Sequence, residues 1–182
     1  MRLFVAVDVP QEIRDAVEKD VVDVLRPAVQ GARWTRPEGR HLTLEFLGET
    51  PDDRVPDITR ALRKAAKKSR PFETLFTEIG GFPTLRRPRV IWLGLGGGAD
   101  EMRSLAANVN RELEPLGFDP ESRPFTPHYT LARFARPRVI VEMPEVVVPM
   151  TKFGVSEVVL FRSQLHPKGA RYTALEQIPL GK

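Results

Sequence analysis

His41-Leu-Thr-Leu-Glu-Phe-Leu47, stopped by Gly48, and His128-Tyr-Thr-Leu-Ala-Arg133 are the two stretches whose reading decides the fold. Each alternates with period two, so each reads as a strand that sends its histidine and threonine to one face and the residues between them to the other. Working outward, a strand and then a helix lead into both. In the first half, residues 3–9 form a β-branched and aromatic strand ended by Pro10. Ile13, Val17, Val21, Val24 and Leu25 then recur at helical spacing as far as about Pro27, and a short strand through Trp34 precedes His41. In the second half, strands over 72–79 and 89–95 are joined by Gly80-Gly81-Phe82-Pro83 and the basic loop Arg86-Arg87-Pro88-Arg89. Gly96-Gly97-Gly98 reads as a turn, and the helix after it carries Met102, Leu105, Ala106, Val109, Leu113 and Leu116 up to Gly117, a good C-terminal stop before the strand of His128. Between the halves a helix beyond Pro51 or Pro56 puts Ile58, Ala61, Leu62, Ala65 and Ala66 on one face. Strands near 153–162 and 171–178 end the chain. With no linker and no short repeat, this order predicts one domain over residues 1–182, of the α+β class rather than a doubly wound sheet.

Composition narrows the chemistry. The 182 residues hold 28 Lys and Arg against 24 Asp and Glu, 28 − 24 = +4, with three histidines and no cysteine. Thiolate nucleophiles, cysteine-ligated zinc, iron–sulfur clusters and disulfides are thereby excluded. Acid–base work near neutral pH falls to His41, His128 or His166, or to a shifted carboxylate or lysine. Asp8, Pro10, Gln11 and Glu12 cut the first apolar run short of a signal-peptide core, and no later run reaches membrane-spanning length. The expectation is a cytoplasmic monomer with no membrane contact.

Threonine is scarce enough, eleven in 182 residues, that two of three histidines carrying one at the second following position would arise by chance about once in a hundred sequences. His41 with Thr43, and His128 with Thr130, therefore form the candidate site. His166, followed by Pro167 and Lys168, is set aside as a turn residue. If the halves pack about an approximate twofold axis, two imidazoles and two hydroxyls oppose each other across a cleft. One imidazole can take a proton from an attacking oxygen while the other gives one to a departing oxygen, and the hydroxyls can donate to the non-bridging oxygens of a phosphodiester. A single His–Thr pair would more simply satisfy its own strand; the duplication favours catalysis. Zinc is a poor competitor, because neither a His-x-His nor a His-x-x-x-His spacing occurs. A serine elbow and a phosphate-binding P-loop are absent as well.

These residues resemble the two-histidine phosphoesterase superfamily, and within it the RNA 2′,3′-cyclic phosphodiesterases, also called the LigT or 2′-5′ RNA ligase family. The likeness spans nearly the whole chain: Arg2-Leu-Phe-Val-Ala-Val, Trp34 ahead of the first motif, Gly80-Gly-Phe-Pro83, Pro88-Arg-Val-Ile-Trp92, Phe125-Thr-Pro ahead of the second, and Leu160-Phe-Arg-Ser-Gln-Leu165 followed by Gly169 and Tyr172. The resemblance implies two pseudo-symmetric lobes of mainly antiparallel sheet with helices outside and a central groove. It implies RNA ends or cyclic nucleotides as partners, no metal and no cofactor. It also implies hydrolysis of a terminal 2′,3′-cyclic phosphate to a 2′-phosphate, with His41 as proton donor and His128 as proton acceptor, and reversal to a 2′-5′ linkage when a 5′-hydroxyl replaces water. By the same likeness Phe46 stacks on the terminal base and Arg133 pairs with the phosphate. Each lies five residues beyond its histidine, so strict alternation turns it away, and a bulge or strand end has to bring it back. Glu45 stands where relatives often carry a neutral or basic residue, and a carboxylate at the groove rim would weaken binding of long RNA. Arg86, Arg87, Arg89, Arg136 and Arg138 suggest the competing reading, a non-catalytic RNA-end-binding module. A phosphodiesterase acting on 2′-5′ oligonucleotides or another small cyclic phosphate is the third.

Overall fold

The computed structural model describes residues 1–167 and 169–181. In chain order the strands and helices are β1 (Arg2–Val7), α1 (Gln11–Val17), α2 (Asp23–Leu25), β2 (Arg33–Trp34), β3 (Leu42–Glu49), α3 (Val55–Lys67), β4 (Phe72–Thr74), β5 (Phe76–Pro83), β6 (Pro88–Leu95), α4 (Ala99–Leu113), β7 (His128–Arg133), β8 (Phe153–Val155), β9 (Glu157–Gln164) and β10 (Arg171–Pro179). The principal sheet runs β10-β9-β1-β3-β7-β6-β5 with β2 beside β7, while β4 and β8 form a separate pair. Every pairing among the described strands is antiparallel, and the α+β class read from the sequence holds. No helix among the described residues is long and apolar enough to cross a membrane.

β1 shows how the alternation partitions the molecule. Leu3, Val5 and Val7 enter the main core, whereas Phe4 and Ala6 point to the other side of the sheet and form a small cluster with Val159 and Phe161 of β9. The main core is roofed by helices. α3 starts with Pro56 in its first turn, where the missing N–H costs nothing, and turns Ile58, Ala61, Leu62, Ala65 and Ala66 inward. It lies against β9, β10 and α4, and its basic side chains, ion-paired or not, face water. Phe4 of the second cluster lines the cleft described below, and Phe161 stacks on the His41 ring beside it.

Three local departures from the sequence reading have physical reasons. The first helix is not uniform: between α1 and α2 a π-helical turn spans Glu18–Val22, and the extra residue lets the consecutive Val21 and Val22 both be fully buried. Gly80 and Gly81 do not break the strand but lie inside β5, since Gly80 makes room for the Trp92 indole on β6, where a Cβ would collide with the ring. The strands expected over 72–79 and near 153–162 divide, at Leu75 and Ser156, into β4 with β5 and β8 with β9, and in each case the short first piece leaves the principal sheet to pair with the other.

The motif strands β3 and β7 are neighbours, joined through one residue pair, Leu42 with Tyr129. Each of these residues directly follows its motif histidine. β1–α1–β3 and β6–α4–β7 thus form two copies of strand, helix, antiparallel strand that meet at equivalent positions.

Candidate active site

The register of β3 and β7 settles which side chains share a face. On β3, Thr43 pairs with Ala6 and Glu45 with Val5, so Leu44 is skipped. On β7, Thr130 pairs with Trp92 and Ala132 with Ile91, so Leu131 is skipped. Both strands carry a bulge at the same motif position, three residues after the histidine. One extra residue inverts the parity of everything beyond it. Phe46 and Arg133, at the fifth position, are accordingly returned to the face of the histidines, while Glu45 and Ala132 turn inward and are buried. Phe46 is left 60% exposed, a costly placement for a phenyl ring unless something covers it.

That face opens into a cleft of about 270 Å³ whose walls include His41, Thr43, Phe46, Thr130, Arg133 and Tyr172. Five of the six residues singled out from the sequence line it. His128 is not part of the lining; it stands next to it, half-buried, two residues before Thr130 on the same strand face, its ring edge-on to Phe82 at 5.1 Å between centroids. A roomier hollow of about 540 Å³ lies beside Val29, Phe134 and Ile140, but it holds no histidine and gathers no convergent acid–base groups.

The two imidazoles sit in different surroundings. His41 is only 9% exposed, stacked at 4.7 Å on Phe161 and 5.2 Å from Phe4, with Tyr172 edge-on at 4.9 Å. Among the described residues neither ring nitrogen has a hydrogen-bond partner. Burial pulls its pKa down to about 4, with Asp8 raising and Arg14 lowering it by smaller amounts. His128 is also lowered by burial; the Thr126 carbonyl and Glu121 oppose this, and Arg133 adds to it. Its Nδ1 lies 2.8 Å from the Thr126 carbonyl oxygen. A carbonyl only accepts, so Nδ1 carries the hydrogen and the neutral ring presents the lone pair of Nε2.

Glu45 is corrected by the same register argument. It lies under the sheet rather than at the groove rim; burial raises its carboxyl pKa, and hydrogen bonds to the Phe46 backbone and the Asn110 side chain on α4 partly offset this. His166 falls in the exposed turn after β9, and its carbonyl accepts from Gly169 N–H.

One functional element was missed in the sequence. Arg40, directly before His41, is fully buried. Its Nε donates to Thr35 Oγ1 at 2.9 Å and one terminal nitrogen to Thr35 O at 2.6 Å, while the other lies 2.7 Å from a Glu18 carboxylate oxygen. Thr35 in turn bonds β7: its N–H donates to Leu131 O, and its hydroxyl lies 2.9 Å from Thr130 O and 2.8 Å from Leu131 O. The residue before one histidine is thus tied to the bulge after the other. The π-helical turn contributes by presenting Glu18. Among the described residues no three His, Asp or Glu side chains gather as a metal site would require.

An antiparallel α+β sheet with two His–Thr strands opening on one cleft defines a phosphoesterase of the two-histidine class. The chain belongs to the LigT-like phosphoesterase family, whose model matches residues 7–92 and 95–172. Among its relatives, an RNA 2′,3′-cyclic phosphodiesterase of Methanothermobacter thermautotrophicus is 33% identical over 181 residues, 97% of each chain. The crystal structure of TT0787 from Thermus thermophilus superposes with a TM-score of 0.84 at 34% identity over the whole of both chains. E. coli LigT in complex with 3′-AMP superposes with a TM-score of 0.83 at 27% identity, covering 100% of this chain and 98% of that one.

Proposed function

We propose that the protein hydrolyses the terminal 2′,3′-cyclic phosphate of RNA to a 2′-phosphate without a metal, by proton transfer between two histidines. The observation that carries this is the repeated bulge, which returns Phe46 and Arg133 to the face that alternation already gives to Thr43, Thr130 and both histidines, around one cleft lined by His41. The activity named for the relatives over nearly the full chain supports the choice of substrate.

His128 Nε2 takes a proton from water as the water oxygen bonds to phosphorus. The P–O3′ bond breaks, and His41 gives its proton to the departing O3′. Each turnover leaves His41 neutral and His128 protonated, and exchange with solvent restores them. Thr43 and Thr130 donate to the non-bridging oxygens, Arg133 balances the added negative charge, and Phe46 stacks on the base. The aromatic walls of His41 keep it neutral in the free protein. An anionic phosphate in the cleft reverses that balance, because a nearby opposite charge favours the imidazolium and the ring faces of Phe4 and Phe161 are attractive to a cation. Proton uptake by His41 then accompanies substrate binding. With a 5′-hydroxyl in place of water, the reverse reaction gives a 2′-5′ linkage.

The test is product analysis, in excess chelator, on RNA ending in a 2′,3′-cyclic phosphate, on cyclic mononucleotides and on 2′-5′ oligonucleotides. A 2′-phosphate product from the cyclic ends is expected. Activity that vanishes with chelator and returns with metal refutes the metal-free scheme. Turnover confined to 2′-5′ linkages transfers the site to that substrate, and RNA binding without any turnover makes the protein a binding module.

A further inference from the structure

Resting on the reading that an RNA end occupies the cleft, we propose that a row of arginines leading out of it over β2, Arg133, Arg33 and Arg138, binds the backbone of the nucleotides preceding that end, so that single-stranded RNA of several nucleotides, not a mononucleotide, is the preferred substrate. Arg33 on β2 is the direct cross-strand partner of Arg133, so both side chains leave the same face of the sheet, and Arg133 lines the cleft. Two like charges set opposite each other on adjacent strands are destabilising. Among the described residues neither arginine has an ion pair to relieve this, nor do Arg136 and Arg138. A polyanion would supply the missing countercharge.

The third position is placed by the backbone. Phe134 N–H donates to Arg89 O and Arg138 N–H to Pro88 O, so the chain leaving β7 runs on beside β6. The Arg138 guanidinium then lies over Gly31, where a Cβ would collide with it and where φ is +80°. Gly31, in the turn before β2, is two residues before Arg33, at most about 7 Å along the chain. The three guanidinium groups therefore begin at the reacting phosphate and lead away from it, with exposed Arg136 at their flank. Glu142, beside Arg138 around the neighbouring hollow, is the nearby acidic exception. Exposed guanidinium groups without ion pairs among the described residues, starting at the cleft with Arg133 and reaching the neighbouring hollow with Arg138, fit a single strand better than a flat anionic membrane.

The experiment measures binding, so it does not depend on turnover. A 5′-labelled 12-nucleotide RNA ending in a 2′-phosphate, and labelled adenosine 2′-phosphate, are titrated with the full chain by fluorescence anisotropy between about 50 and 200 mM salt, using wild type and Arg33→Gln/Arg138→Gln. Each phosphate contact on a single strand contributes about −0.7 to the slope of log K against log salt, so two lost contacts flatten it by about 1.4, close to a 7-fold difference over that fourfold range. The RNA-to-mononucleotide affinity ratio of the variant should fall by at least that much at the lower salt. Equal salt slopes for the two ligands on wild type overturn the proposal whether or not the variant folds. So does a variant with an unchanged ratio, or one whose only loss is binding to phosphatidylserine vesicles. Arginine-dependent RNA binding without opening of any cyclic end would uphold this surface and reject the catalytic reading.

Discussion

His41 should make the protein lose stability in mild acid by an amount that the structure fixes. Its pKa is drawn from the ordinary 6.5 to about 4 by burial among Phe4, Phe161 and Tyr172. The lowered value means that the folded state favours the neutral ring. Above about pH 6.5 the ring is neutral in both folded and unfolded chains, and the full stability is present. Between 6.5 and 4 the unfolded chain binds a proton that the folded one refuses, so stability falls as pH falls, and it levels off below 4. At about pH 5 the loss from this one residue is about 2 kcal/mol. The perturbation is His41→Gln, which removes the titration and keeps a polar side chain of similar size. Urea unfolding of both proteins at about pH 7.5 and pH 5 gives the assay, and the difference between them cancels the many carboxylates that titrate in the same range. With a slope near 2 kcal/mol per molar urea, the wild-type midpoint should drop about 1 M further than that of the variant. Equal drops would refute the desolvated, neutral His41, and with it the argument that substrate binding loads the proton. A product 2′-phosphate should restore part of the wild-type loss at the lower pH by stabilising the imidazolium.

Other outcomes follow from the same geometry. His41→Ala and His128→Ala, shown to be folded by circular dichroism, should each lower kcat by about 100- to 10,000-fold on a cyclic mononucleotide; near-normal turnover by either rejects the paired scheme. Phe46→Ala should raise KM for cyclic nucleotides by about 5- to 100-fold with little change in thermal midpoint, because the ring is exposed and packs little in the free protein. Glu18→Gln strands the fully buried Arg40 guanidinium and should cost about 3 kcal/mol in urea unfolding, whereas a surface pair such as Arg60 with Asp57 should cost under about 1 kcal/mol when broken. Leu62→Ala, deep beneath α3, should cost about 2–5 kcal/mol without altering KM.

What the sequence made legible was whatever depends on period and spacing. The alternation around His41 and His128, the apolar face of α3 and the Gly117 stop all describe local preferences, and each reappears in the fold, Gly117 with a left-handed φ of 83°. The pairing partners of a strand are not local, and the two bulges lie in the pairing. Nothing in Leu44 or Leu131 announces that each will be skipped by its neighbour, so Phe46 and Arg133 pointed the wrong way until the register was known. Glu45 was misplaced for the same reason. Arg40 was invisible because an arginine beside a motif ordinarily reads as surface charge; its burial depends on Glu18, 22 positions earlier, reaching it from a π-helical turn that the regular spacing of valines had concealed.

The matched bulges carry a consequence for the direction in which a substrate can lie. Histidine, threonine and bulge are duplicated, so these groups alone would accept a phosphodiester in either of two opposed orientations. Orientation has to come from sites where the copies diverge, and on the proposed reading Phe46 and Arg133 are equivalent positions holding opposite chemistries, a face for a base and a fork for a charge. Polarity of the cleft then rests on this pair together with the unlike surroundings of the two imidazoles, aromatic walls around His41 and the Thr126 carbonyl at His128. Exchanging them, Phe46→Arg with Arg133→Phe, would leave every duplicated group in place while asking the two histidines to trade their proposed roles of acid and base.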